Sequence, residues 1–246
     1  MKLPVPLPAS PGLFLDVDGT LIEFSPHPSQ TRAPRSLVDL LQRIEHRLQG
    51  AVALISGRPI ADLDAIFFPL RLRAAGVHGG ERREQVDQPA PHSAADPTLN
   101  ALRAGLHDIA TRHPGIEIED KRIAVAVHYR TRPEARSPLL REIAALLGGM
   151  DDGVHLIEGN LVIEVKPRRF TKADAIATFL EQPVFAQRTP VFLGDDITDL
   201  DGFRLVEARG GLSVAVGERV DAQWRLADPA ATRAWLGDLV TESCAS

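Results

Sequence analysis

Leu13-Phe-Leu-Asp-Val-Asp-Gly-Thr-Leu21 decides how this chain is read, because an apolar run ends there in two carboxylates set two residues apart. Extended backbone alternates its faces, so Asp16 and Asp18 project to the same side. Gly19 lets the chain turn away with no Cβ penalty, and Thr20 adds a hydroxyl at the kind of strand end where open α/β sheets bind ligands. The pattern suits a nucleophile beside an acid/base. An Asp-Gly turn with both acids in solvent is the competing reading.

Working outward, Pro34 suits a helix start. Leu37, Leu40, Leu41, Ile44 and Leu48 then follow at helical spacing, and Gly50 stops the run. A short apolar stretch from Ala51 to Ile55 breaks at Ser56-Gly57-Arg58-Pro59, and a second helix is predicted through Ile60, Leu63 and Ile66. Strand, helix, strand, helix in this order predicts a doubly wound parallel sheet, a Rossmann-type α/β core with right-handed crossovers.

From about Glu81 the texture changes. A proline-containing polar stretch leads to a helical pattern at Leu99, Leu102, Leu106 and Ile109, then to strands at 115–119 and 123–129. A helix through Leu139 and Ile143 and strands near 154–157 and 160–166 complete what reads as an inserted, smaller α/β cap domain. The earlier rhythm resumes with a helix over 172–180, a strand over 190–194, a helix near 200–207, a strand over 212–216 and a closing helix around Trp235. The expected organisation is therefore a core over residues 1–81 and 167–246 with a cap over 82–166.

Composition narrows the partners. The 246 residues are 44% hydrophobic and 25% charged, ordinary globular usage. A formal net charge of −5 speaks against a nucleic-acid or anionic-membrane surface, which needs clustered Lys and Arg. The single cysteine, Cys244, allows neither a disulfide framework nor a Cys-based zinc site, and the proline-rich Met1-Lys-Leu-Pro-Val-Pro-Leu-Pro start does not suit a signal-peptide core. The expectation is a cytoplasmic protein, a monomer or weak oligomer, that takes a small-molecule substrate and no membrane.

A second acidic cluster, Gly194-Asp-Asp-Ile-Thr-Asp199, also follows an apolar strand. Adjacent strand ends would bring Asp195, Asp196 and Asp199 to Asp16 and Asp18. Crowded carboxylates repel one another unless a hard cation such as Mg²⁺ neutralises them, and that cation favours phosphate oxygens as further ligands. A run of acids opening the next helix is the alternative. Ser56 and Gly57 offer a hydroxyl and close backbone approach at a helix start that suits an anion, although a cap beside a surface Arg58 uses the same residues. Lys172, in the capping-box-like Thr171-Lys-Ala-Asp174, can counter charge on a transferring phosphoryl group or simply be solvated.

These four segments, in this order, resemble the four motifs of the haloacid dehalogenase superfamily, and Asp18 matches its phosphatases and not its dehalogenases. Gly76-Val-His-Gly-Gly-Glu81, Glu119-Asp-Lys121 leading to Val127-His-Tyr-Arg130, and Glu164-Val-Lys-Pro167 extend the resemblance to bacterial trehalose-6-phosphate phosphatases, over about residues 13–239. Ala173 after the lysine and Leu200 after Thr-Asp depart from the usual pattern. The resemblance implies Asp16 as nucleophile and Asp18 as acid/base, with Ser56, Gly57, Arg58 and Lys172 on the phosphoryl group. It implies Mg²⁺ held by Asp16, the Asp18 backbone carbonyl and Asp195, with Asp196 and Asp199 in support. It also implies that Glu119, Lys121 and Glu164 read the distal glucose, joined by His78 and Glu81. Carboxylates and an ammonium on a strand can hydrogen-bond vicinal hydroxyls, but a solvated strand face has the same composition. Another sugar phosphatase of the superfamily, for sucrose-phosphate or a hexose phosphate, shares the core motifs, and a non-catalytic sugar-phosphate sensor would need no nucleophile.

Overall fold

The computed structural model describes residues 5–24, 31–90, 97–120, 124–148, 153–159, 161–167 and 170–241. The chain divides into two compact units, residues 1–91 with 171–246, and residues 92–170.

In chain order the first unit begins with β1 (Pro11–Leu15), α1 (Arg35–Arg47), β2 (Val52–Ile55), α2 (Ile60–Ile66), β3 (Arg73–Gly76) and β4 (Glu81–Arg83). The second unit holds α3 (Pro97–Arg112), β5 (Glu117–Asp120), β6 (Val125–His128), α4 (Arg136–Leu147), β7 (Val154–Gly159) and β8 (Val162–Pro167). The first unit then closes with α5 (Lys172–Leu180), β9 (Thr189–Gly194), α6 (Leu200–Ala208), β10 (Leu212–Val216), β11 (Trp224–Leu226) and α7 (Pro229–Thr241).

The seven strands of the first unit run β11-β10-β9-β1-β2-β3-β4, parallel except for the final β3–β4 pair. β1 and β2 are buried along their whole length, as strands covered on both faces must be, which explains their unbroken apolar sequence. From β1 the connections step one way to β2 and β3, and from β9 they step the other way to β10 and β11. Right-handed crossovers in opposite directions place helices on opposite faces, with α1 packed against α7 and α5 against α6. The β1–β9 junction is thus the topological switch point, where open sheets of this kind form a crevice beyond the strands' carboxyl ends. Register sets Leu15 against Leu193, so the residues that follow them, Asp16 and Gly194, lie side by side at the carboxyl end of the sheet.

The second unit is a four-stranded antiparallel sheet, β5-β6-β8-β7. Its Val125, Val127, Ile163 and Val165 pack with Leu99, Leu102, Leu106 and Ile109 of α3 and with Leu139 and Ile143 of α4. Strand alternation then turns Glu119, Ala126 and Glu164, which are in register across three strands, to the other face. None of the described helices is long and apolar enough to cross a membrane.

The break between units falls later than the sequence pattern suggests. Arg82 and Arg83 do not open the insertion; they belong to β4 and pair antiparallel with β3 in the first sheet. Arg83 is almost fully buried and forms a fork with Asp64, Nη1 at 2.8 Å and Nη2 at 2.7 Å, while its Nε donates to the Leu72 carbonyl at 3.0 Å. Breaking a buried, forked ion pair strands the remaining charge. Arg83→Ala is therefore expected to destabilise the protein by ~2–4 kcal/mol in urea melts. Arg82→Ala, on the exposed position of the same strand, is expected to stay within about 0.5 kcal/mol of the native protein.

Candidate active site

Asp16 leaves β1 with its backbone N–H donated to the Leu193 carbonyl at 3.0 Å, which fixes its direction. Its Oδ1 accepts from Lys172 Nζ at 2.7 Å and its Oδ2 from Thr20 Oγ1 at 3.2 Å. Lys172 is the first residue of α5, and the helix start is set by Thr171, whose Oγ1 accepts from the Asp174 N–H at 3.0 Å. That cap aims the lysine inward, and Lys172 also donates to Asp199 Oδ1 at 2.6 Å. Asp16 and Lys172 are each 4% exposed and Asp199 is 0% exposed, so the triad is out of bulk water.

Asp199 is tied on its other oxygen too, where Oδ2 accepts from the backbone N–H groups of Asp195 and Asp196, both at 3.0 Å. Gly194 permits this fold-back, since a Cβ there would lie 2.4 Å from the Asp199 carboxyl carbon. Gly19, at φ +81°, similarly makes room for Asp195, whose Oδ2 would lie 2.4 Å from an added Cβ. Asp195 also faces Arg219, Nη1 to Oδ2 at 3.5 Å, and the guanidinium sits 4.7 Å from the Phe24 ring centroid. These residues border a cleft of about 310 Å³ lined by Gly19, Phe24, Asp195 and Arg219.

Carboxylate oxygens of Asp16, Asp195 and Asp199 lie within 4.8 Å of one another. Burial raises the Asp16 pKa well above the ordinary carboxylate range, the lysine opposes that rise, and the Asp199 and Asp195 charges add to it. Asp195 is pushed up to about 6, first by burial and then by Asp199. Burial alone would deprotonate Lys172, but the adjacent Asp16 and Asp199 charges outweigh it and hold the ammonium more firmly than usual. Three hard oxygen donors around one ammonium fit a divalent cation of the Mg²⁺ type. Asp199 already takes three protein donors, Lys172 on one oxygen and two backbone N–H groups on the other, whereas each Asp16 oxygen takes only one, so Asp16 and Asp195 are the carboxylates with lone pairs left to ligate.

The other residues singled out in the sequence fall into three groups. Asp18 and Asp196 are outside that cluster. Asp18 lies in the guanidinium fork of Arg58, with Nε to Oδ2 at 2.6 Å and Nη2 to Oδ1 at 2.7 Å, and Asp196 Oδ1 caps the next turn by accepting from the Ile197 N–H at 2.8 Å. Ser56 is buried, and its Oγ accepts from the Arg58 N–H at 3.1 Å. His78 and Glu81 belong to the first unit: the His78 ring packs on Gly57, and Glu81 Oε2 accepts from the Ile60 N–H at 2.7 Å, capping α2. In the second unit, Glu119 Oε2 lies 2.9 Å from His128 Nε2, and Glu164 is 8% exposed on the face of the sheet away from α3 and α4. Lys121 lies outside the described residues. Sequence reasoning missed the Arg58 fork, Arg219 and the buried Lys166, which shares the Glu164 face; the i, i+2 alternation of charge along β8 was the one available signal for Lys166.

A doubly wound sheet with an acid pair at its switch point, a buried lysine and a second acid loop defines a haloacid dehalogenase-like hydrolase. A hydrolase of that description from Bacteroides thetaiotaomicron, 18% identical, superposes with a TM-score of 0.70 over 92% of this chain and 98% of its own, which shows the fold. The chain belongs to the trehalose-phosphatase family, whose family model matches residues 14–230. It is 40% identical over 229 residues to the trehalose-6-phosphate phosphatase of Escherichia coli K12, covering 93% of this chain and 86% of the relative. A solved trehalose-6-phosphate phosphatase related protein is 25% identical with a TM-score of 0.70, covering 94% of this chain and 97% of its own.

The raised pKa of Asp195 has a sign that can be checked. A carboxyl that resists ionisation in the folded state contributes stability below about pH 4 that is lost as pH rises toward 6. In chelator-treated protein, Asp195→Asn should therefore be more stable than the native chain by ~1–3 kcal/mol at pH 7.5, with the gain vanishing near pH 4. Melting curves at the two pH values measure this. Added Mg²⁺ should raise the melting temperature of the native chain and leave the variant unmoved.

Proposed function

We propose that this protein is a Mg²⁺-dependent phosphatase that hydrolyses trehalose 6-phosphate to trehalose and phosphate through an aspartyl-phosphate on Asp16, in the cytoplasm. The reading of the chemistry rests on the Asp16 carboxylate, held at both oxygens by Lys172 and Thr20 beside Asp195. The choice of substrate rests on relatedness to the E. coli enzyme.

In the first half-reaction an Asp16 oxygen attacks phosphorus and the bond from phosphorus to the sugar oxygen breaks. The departing oxygen takes a proton from the Asp18 carboxyl, so neutral trehalose leaves. In the second half Asp18, now a carboxylate, takes a proton from water as that water attacks phosphorus. Phosphate departs, and Asp16 returns as a free carboxylate while Asp18 is reset as an acid. Lys172 sits on the oxygen side of Asp16, where negative charge builds in both steps, and Ser56 can add a hydrogen bond to the phosphoryl group. Mg²⁺, held by Asp16, the Asp18 backbone carbonyl and Asp195 when bound, supplies charge neutralisation for the phosphoryl oxygens. Asp199 holds Lys172 and the Asp195 loop in place.

Sugar recognition is assigned to the helix-free face of the second unit, where Glu119 and Glu164 are in register with one strand between them. Two carboxylates on strand positions accept hydrogen bonds from a polyol, and a site built for hydroxyls rejects ligands lacking them.

Asp16→Asn should lower kcat by at least about 10³-fold without lowering the melting temperature, because the amide keeps the shape and loses the nucleophile. Native-like phosphate release from that variant would remove Asp16 from its role. Glu119→Ala and Glu164→Ala should each lower kcat/KM for trehalose 6-phosphate by about tenfold to a thousandfold, with far less change for nitrophenyl phosphate. Equal losses on the two substrates would show that these residues support the fold instead.

A further inference from the structure

The loop that joins β2 to α2 is braced more heavily than a phosphate-binding turn requires. The Ser56 N–H donates to the Ala75 carbonyl at 2.9 Å and the Ser56 carbonyl accepts from the His78 N–H at 2.9 Å. The Arg58 carbonyl accepts from the Val77 N–H at 3.0 Å, the Arg58 N–H donates to Ser56 Oγ at 3.1 Å, and Glu81 caps Ile60 two residues on. Val77 and His78 hold φ of +46° and +55°, left-handed values that a β-branched and a ring-bearing residue adopt only when the surroundings impose them. These bonds fix Ser56 and Ile60 on either side of Arg58, and two of them hold the Arg58 backbone itself at its N–H and its carbonyl.

The side chain so positioned is 13% exposed and grips Asp18 with two short, parallel hydrogen bonds, at 2.6 and 2.7 Å. A guanidinium fork on a carboxylate fixes the plane of the carboxylate as well as its place, which a lysine at the same site cannot do. Each oxygen of Asp18 keeps a second lone pair outside the fork, so the carboxylate can make a further hydrogen bond to a substrate oxygen without leaving it.

We propose that Arg58 is a positioning residue that acts through Asp18, holding the carboxylate plane for proton transfer to the sugar oxygen, and is not itself a ligand of the phosphoryl group. The inference deepens the phosphatase reading above and rests on it. Its strongest consequence concerns the leaving group. An alkyl sugar oxygen needs a proton as it departs, whereas a nitrophenolate does not, so a fault in Asp18 geometry should be felt by the first and spared by the second.

The test is a double-mutant cycle in the full-length protein with Mg²⁺, using Arg58→Ala, Asp18→Asn and the pair. Arg58→Ala should lower kcat on trehalose 6-phosphate by on the order of 10²-fold with KM moved less than about threefold, and lower the first-turnover release of nitrophenolate by less than about tenfold. In the Asp18→Asn background the same substitution should cost less than about threefold in the residual steady-state kcat on either substrate, since hydrolysis of the aspartyl-phosphate also draws on Asp18. Arg58→Lys should regain less than about a tenth of the lost kcat, since it restores charge without the fork. The inhibition constant of inorganic phosphate should stay within about threefold of the native value in Arg58→Ala. The proposal is overturned by full activity in Arg58→Ala, by equal losses in the two backgrounds, or by a tenfold weaker phosphate inhibition, which would make Arg58 a phosphate ligand. Arg58→Gln replaces the alanine variant if the latter melts at a clearly lower temperature. A native protein that releases nitrophenolate but leaves trehalose 6-phosphate untouched would sink the substrate reading alone, because the cycle on the aryl substrate still reports on Arg58.

Discussion

The Lys172 ammonium, buried between Asp16 and Asp199, is the interaction on which the rest of the site depends. Two like charges about 4 Å apart repel by roughly 4 kcal/mol at an effective dielectric of 20, and three carboxylates crowd this space. One ammonium offsets part of that repulsion. Burial first, and the remaining repulsion after it, hold Asp16 and Asp195 above the ordinary carboxylate range, and the excess negative charge is what a divalent cation would neutralise. The lysine also ties three segments distant in sequence, since it leaves α5 to reach the end of β1 and the turn after β9. Losing it would unsettle Asp16 and the acid loop together.

Two small residues make such crowding sterically possible. Gly19 and Gly194 each stand where a Cβ would collide with a carboxylate, Asp195 in one case and Asp199 in the other. Close approach of backbone to the neighbouring strand end lets the carboxylate oxygens of the two acid loops come within 4.8 Å of one another at the switch point. Asp199 then works as a clamp: one oxygen receives Lys172, and the other receives two successive backbone N–H groups. Its position opening α6 made it resemble a helix-start acid in the sequence, and that resemblance is partly real, because it does cap its own turn while gripping the lysine.

Much of this was legible because β1 and α5 announce themselves locally. An unbroken apolar strand that ends in Asp-x-Asp-Gly-Thr has few alternatives, and Thr171 with Asp174 marks the helix start that aims Lys172. The parts that stayed hidden are those whose cause lies elsewhere in the chain. β3 reads Arg-Ala-Ala-Gly and β4 reads Glu-Arg-Arg, with neither alternation nor β-branched residues, so only pairing in the sheet makes them strands. The partner that buries Arg83, Asp64, is nineteen positions away, and no local pattern joins the two. Arg58, which the family resemblance assigns to the phosphoryl group, forks onto a carboxylate forty positions earlier in the chain, a pairing with no local signal.

Asp16 and Asp18 start from the same strand end with the same chemistry, and their surroundings separate them. Asp16 is sealed off with a lysine and two further acids, a setting that holds a carboxylate rigid, desolvated and aligned as a nucleophile requires. Asp18 has a side chain 26% exposed and, among the described residues, the Arg58 guanidinium as its side-chain partner, so water can reach it. A nucleophile gains from immobility, and an acid/base gains from access to solvent between half-reactions. The strand's two-residue period delivers both carboxylates to one crevice, and the proposed division into nucleophile and acid/base rests on the difference in burial and partner between them.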